Sequence, residues 1–84
     1  PAMIALMENT AKTCVAEYLP KDFSTVGAEV NIKHIKATPV NMKVNCEAIL
    51  TRIDGKKLSF QVTAWDEQGK IGEGNHTRYI INVE

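Results

Sequence analysis

Apolar residues over the first nineteen positions recur at three- and four-residue steps: Met3, Ile4, Met7, Ala11, Cys14, Val15, Tyr18 and Leu19. That spacing lines one face of an α-helix, and Pro1 suits its first turn, where a missing N–H costs nothing. Pro20 stops the helix, and Lys21 to Ser24 form a short polar connection around Phe23. The period then drops from about four to about two, which predicts strands. Val26, Ala28, Val30, Ile32 and His34 alternate with Gly27, Glu29, Asn31 and Lys33, giving one apolar and one mostly polar face, until Thr38-Pro39 breaks the run. Val44, Cys46, Ala48 and Leu50 mark the inner face of a second strand that ends at Asp54-Gly55, a dipeptide suited to a tight hairpin. Leu58, Phe60, Val62 and Ala64 do the same for a third. Asp66 to Gly69 supply the next turn, and a fourth strand runs from Lys70 to Val83.

One helix followed by an antiparallel meander predicts an α+β domain in which a sheet lays one face against a helix. With 84 residues the chain is one domain with a small core, so a partner subunit would help it. Four strands leave a sheet edge open, and such an edge is usually paired with an upstream strand or a second subunit, so a homodimer is expected. The helical pattern begins at once from Pro1, with no initiator methionine, which leads us to expect a further segment upstream.

Charge narrows the function classes. Ten acidic and ten basic residues are scattered without a basic stripe, which argues against nucleic acid as a partner. The apolar run Met3 to Met7 is too short to cross a bilayer and lacks the basic flank of a secretory signal, so no membrane partner is expected and the cytoplasm is the expected location. Cys14 and Cys46 fall in helix and strand patterns and read as reduced core residues; their spacing makes no zinc signature, and no metal is expected.

Glu8 lies inside the apolar stripe, between Ile4, Ala11 and Val15. A carboxylate there is partly desolvated and becomes a better base near neutral pH if a partner keeps it ionised. The alternative is a stripe-edge glutamate that reaches solvent. His34 continues the apolar series of its strand, so it faces the layer under the helix, where an acid/base pair with Glu8 is possible; the alternative is a hydrogen-bonded core histidine. Gly72, Gly74, Asn75, His76 and Arg78 form a polar cluster on the last strand. Arg78 can orient a carboxylate or phosphate, or pair with a surface glutamate. His76 has no identifiable ligand set and stays unassigned. For Phe60, Trp65 and Tyr79, packing is the default reading.

These positions also carry a resemblance. The run Ala5-Leu6-Met7-Glu8-Asn9-Thr10-Ala11, then Gly27 to His34 with Ala37-Thr38-Pro39, then Gly55 to Phe60, and Ile71-Gly72-Glu73-Gly74-Asn75-His76-Thr77-Arg78 resemble the fluoroacetyl-CoA thioesterase family of the hot-dog superfamily, in order and across essentially the whole chain. The resemblance implies that residues 1–84 are a single hot-dog thioesterase-like domain, truncated at its N-terminus by a strand-bearing segment. It implies a long helix wrapped by an antiparallel sheet, and a dimer joined edge to edge with its active site near the interface. It further implies hydrolysis of a short acyl-CoA with no cofactor beyond the coenzyme A of the substrate. By position, Glu8 and His34 match catalytic residues, and Gly27 and Arg78 match substrate-placing ones. The family's catalytic threonine would fall immediately before Pro1. A non-catalytic module that binds acyl-CoA is the alternative, followed by a ligand-free dimerisation domain and a dehydratase on the same fold.

Overall fold

The computed structural model describes residues 2–39 and 41–83. Pro1, expected in the first helical turn, lies outside them. Helix α1 spans Ala2–Ala16 and is followed by β1 (Phe23–His34), β2 (Asn45–Asp54), β3 (Lys57–Asp66) and β4 (Gly69–Asn82). The four strands form one antiparallel sheet in the order β1-β4-β3-β2, so β1 and β2 are its edges. The helix ends a turn earlier than its apolar spacing predicts. Residues 17–19 form a turn before Pro20, and Tyr18 is left 78 % exposed.

Met7, Ala11 and Val15, spaced four apart, are the buried face of α1. They meet Leu58, Phe60, Val62 and Ala64 of β3 and Ile71 of β4 in the core. Ala11, Val62 and Ala64 are completely buried, and their small side chains let the helix lie close over β2 and β3. Of the three aromatic residues read as packing, Phe60 is in the core, Trp65 is half-buried and Tyr79 is exposed. Cys14 and Cys46 are both free thiols at the core margin, and burial pushes the Cys46 thiol up despite its hydrogen bond with Thr10.

The β2–β3 hairpin turns one residue later than the Asp54-Gly55 dipeptide predicts. Asp54 pairs with Lys57, and Gly55-Lys56 make the bend, with Gly55 at φ 62°, the left-handed region where glycine has no steric cost. In the β3–β4 turn, Asp66 pairs with Gly69 and its carboxylate accepts from the Gln68 N–H at 2.8 Å.

Irregularities in pairing decide which side chains face the helix. On β1 the register passes from Gly27↔Arg78 to Glu29↔Thr77, so Ala28 is an extra residue, a β-bulge. The bulge reverses the alternation. Thr25 and Gly27 face the helix before it, and Val30, Ile32 and His34 face the helix after it. The sequence pattern had placed Val26 and Ala28 on that face; both are exposed instead. A second bulge skips Ile71 on β4, and the Ile71 carbonyl accepts from the N–H groups of Ile35 (2.8 Å) and Lys36 (3.3 Å). The chain leaving β1 is thereby tied to the sheet.

Candidate functional site

Glu8 follows Met7 on α1 and is half-buried at the edge of the helix stripe. Beneath it on β1 is Gly27, paired with Arg78 of β4. A Cβ at Gly27 would lie 3.4 Å from Arg78 Nη1, 3.4 Å from His76 Cε1 and 3.6 Å from Glu8 Oε2. The absent side chain therefore leaves a small niche, exposed at Gly27 and bordered by the Glu8 carboxylate, the Arg78 guanidinium and the His76 ring. Among the described residues Glu8 makes no hydrogen bond or short ion pair. Its charge acts on Arg78 through space.

Arg78 is held rigidly. It is only 6 % exposed, its Nε donates to Thr25 Oγ1 at 2.7 Å, and its Nη2 donates to the Thr25 carbonyl at 2.8 Å. Burial pushes the guanidinium below its usual pKa and the Glu8 carboxylate offsets only part of that; an arginine side chain remains protonated in proteins. The surface arginine paired with a glutamate, one of the two expectations, is replaced by a buried cation fixed to strand β1. A third bond joins Nη1 to His76 Nε2 at 3.2 Å. Three of five N–H donors are thus engaged within the described residues, and Nη1 borders the niche with one hydrogen to offer. A carbonyl oxygen can accept from that edge while a water or an acyl carbon faces Glu8.

His34 is elsewhere. It pairs with Gly72, which lies under Met3 near the start of α1, and is exposed. Gly27 and His34 are seven steps apart along β1, roughly 20 Å of strand at ~3.3 Å per residue. The expected contact between Glu8 and His34 is therefore not made within one protomer. The shared face was read correctly, but a face is long and the helix crosses it. His34 Nε2 lies 2.9 Å from the Lys36 carbonyl, which can only accept, so Nε2 carries a hydrogen and, in the neutral ring, Nδ1 is the bare nitrogen. The segment after His34 is anchored by Asp66, 7 % exposed, which bonds Thr38 Oγ1 at 3.3 Å and pairs with Lys36 Nζ at 3.4 Å.

His76, unassigned from sequence, is the residue that sequence reasoning missed. It is fully buried beside the niche. Its place two residues before Arg78 on one strand puts both on the same face, and that spacing was the available signal.

The match to the Fluoroacetyl-CoA-specific thioesterase family runs over residues 1–84. The chain belongs to this family. The fluoroacetyl-CoA thioesterase of Streptantibioticus cattleyicolor is 34 % identical over 82 residues, which are 98 % of this chain and 59 % of that protein. A solved structure of a fluoroacetyl-CoA thioesterase superposes with a TM-score of 0.93 at 33 % identity, covering 96 % of this chain and 60 % of that one. A hot-dog-like protein from Thermanaerovibrio acidaminovorans, 20 % identical, superposes at 0.90 over 96 % of this chain and 60 % of its own, a likeness of fold. Helix and sheet are thus the hot-dog fold, and the chain spans about three-fifths of the length of the relatives it matches. Among the described residues no helix is long and apolar enough to cross a membrane.

Proposed function

We propose that the full-length protein hydrolyses a short acyl-CoA thioester at the Gly27 niche, with Glu8 as base or nucleophile, Arg78 as donor to the developing oxyanion, and His34 supplied across a subunit interface. The observation that carries this reading is the convergence of Glu8 Oε2 and Arg78 Nη1 on the open face of Gly27. A carboxylate and a charged donor converging on one open spot is what acyl transfer from a thioester needs. The acyl carbonyl oxygen lies toward Arg78, and its carbon faces Glu8 or a water that Glu8 deprotonates. The carbon–sulfur bond then breaks, coenzyme A leaves as the thiol after taking a proton, and the acyl group leaves as the acid. If Glu8 attacks directly, an anhydride forms first and water cleaves it. A single turnover in heavy-oxygen water, read by the mass of the protein, detects the anhydride when water attacks its Glu8 side, because only that path leaves heavy oxygen in the protein.

The dimer supplies what one protomer lacks. β1 is an edge strand, and antiparallel pairing with its own copy about a two-fold axis leaves no free edge there. With the axis at Asn31, Val30 lies beside the partner's Ile32 on the helix-facing side, and Glu29 lies beside the partner's Lys33 on the other. Beyond the bulge, Gly27 lies beside the partner's His34. Opposite charges at Glu29 and Lys33 favour this register over its neighbours. The free thiols of Cys14 and Cys46 fit a reducing compartment, the cytoplasm.

The test is complementation in the full-length protein, read as thiol release from a panel of acyl-CoAs. Glu8→Gln and His34→Ala homodimers are each inactive. Mixed and re-equilibrated, they recover about a quarter of wild-type activity, because half the dimers are hybrids and each hybrid has one intact site. No recovery from exchanged dimers would place both residues in one subunit's site. Thioester protection against unfolding without turnover by the wild type would make the protein a binding module.

A further inference from the structure

We propose that His76 is a positioning residue for this site, holding Arg78 against Glu8 and Gly27 through its bare Nε2; this deepens the reading of the niche given above. The argument begins with the bulge at Ala28. By pushing one extra residue into β1 it puts the carbonyl of Glu29 within 2.8 Å of His76 Nδ1. A carbonyl can only accept, so Nδ1 carries the hydrogen and, in the neutral ring, Nε2 carries none. Nε2 is then the acceptor for Arg78 Nη1 at 3.2 Å, the nitrogen that borders the niche. Phe60, whose ring stacks with the imidazole at a centroid distance of 6.3 Å and 30° between planes, keeps the ring from swinging away.

The result is a line of polar atoms from the Glu29 carbonyl through His76 to Arg78 and on to Thr25, buried from His76 onward. Thr25 grips the Nε and Nη2 edge of the guanidinium, and His76 grips Nη1. Without the second grip the plane of the guanidinium is free to turn about its Nε edge, and Nη1 leaves the place where an acyl oxygen would meet it. His76 is 1 % exposed and its ring carbon Cε1 lines the niche, so it acts on substrate through Arg78. A histidine that merely filled the core would need only volume and its own two hydrogen bonds. This one has its tautomer dictated by one strand and uses it to aim a cation on its own.

Two substitutions in the full-length protein separate these roles. His76→Gln can keep an acceptor near the Nε2 position. His76→Asn can keep the donor to Glu29 but is too short to reach Arg78. Positioning through Arg78 predicts that Asn lowers kcat/KM for acyl-CoA hydrolysis by about 10- to 100-fold while Gln restores it to within a few-fold. In an Arg78→Met background both substitutions then change kcat/KM by less than about twofold, the non-additivity of residues that act as one unit. Equal losses for Gln and Asn with matching losses of Tm, or a full Asn effect in the Arg78→Met background, would overturn the proposal. A second readout needs neither activity nor variants. Nitrogen-15 spectra of the wild-type protein should show His76 as the Nδ1–H tautomer and a slowly exchanging Arg78 Nη1–H. An Nε2–H tautomer would refute the proposal even if no thioester is hydrolysed, whereas absent hydrolysis with the expected spectra would refute only the thioesterase reading.

Discussion

Replacing Gly27 by alanine should move stability and activity in opposite directions. A methyl at this position meets Arg78 Nη1 and His76 Cε1 at 3.4 Å and Glu8 Oε2 at 3.6 Å, close to ordinary contact. Gly27 is not among the glycines with positive φ, so alanine adopts its backbone conformation without strain. Within a strand, alanine in place of glycine favours folding by roughly 0.5–1 kcal/mol, chiefly because the unfolded chain has less freedom to lose. Allowing for the tight contact to Nη1, about 0.5 kcal/mol remains, or ~1–4 °C in Tm. The same methyl occupies the open face where the acyl carbonyl would sit. Displacement of a reacting group by about 1 Å costs on the order of 10²-fold in rate. Gly27→Val extends atoms ~1.5 Å further, into the walls, and should lower both properties, with ~1–3 kcal/mol lost to overpacking. The assays are thermal unfolding and steady-state thiol release from an acyl-CoA, both on the full-length protein. Unchanged kcat/KM in Gly27→Ala would refute the niche as the place of reaction. A Tm lower by several degrees would show that the niche is closed and packed.

Glu8→Gln should leave Tm within about 1–2 °C of wild type, since Glu8 makes no hydrogen bond among the described residues, while lowering kcat by ~10²–10⁴-fold; a large loss of Tm would make Glu8 a structural residue. For Asp66, burial alone would push the carboxyl pKa up, but the Gln68 N–H, Lys36 and Thr38 outweigh it and hold the pKa below its ordinary value. Its folded pKa is therefore lower than its unfolded one, about 3.9. The stabilisation is present above that value and is lost as pH falls through the folded pKa. Urea midpoints should thus fall less steeply toward acid in Asp66→Asn than in wild type, and parallel curves would contradict the linkage. Gly74→Ala drives a Cβ into the Asn31 carbonyl on β1, so it should cost about 1–3 kcal/mol in urea unfolding, and a neutral result would mean the two strands can part.

Secondary structure was legible because it is written in local period. The helix stripe of Met7, Ala11 and Val15, the inner faces of β2 and β3 and both hairpins follow from spacing, with turns and ends shifted by one to three residues. Two things were not legible. A bulge adds one residue without changing composition, so Val26 and Ala28 read as inner residues and Gly27 as an outer one. Side-chain neighbours depend on where the helix crosses the sheet, so Glu8 and His34 share a layer without meeting. His76 illustrates the same limit. On a strand it is one polar residue among several, and only the fold shows that its two nitrogens are claimed by Glu29 and Arg78.

By itself the sequence determined the α+β class, the helix face, the antiparallel meander and the chemical types available for a site, because these depend on interactions between residues a few positions apart. The tertiary structure decided which of those types work together. It joined Glu8, Gly27, His76 and Arg78, separated by as many as seventy positions, into one niche and set His34 at the far end of an edge strand. The physical reason is that a reacting geometry is a matter of a few ångströms between groups on different elements. Those distances are fixed by a bulge, a buried hydrogen-bond line and a helix crossing point, none of which has a period that the chain could display.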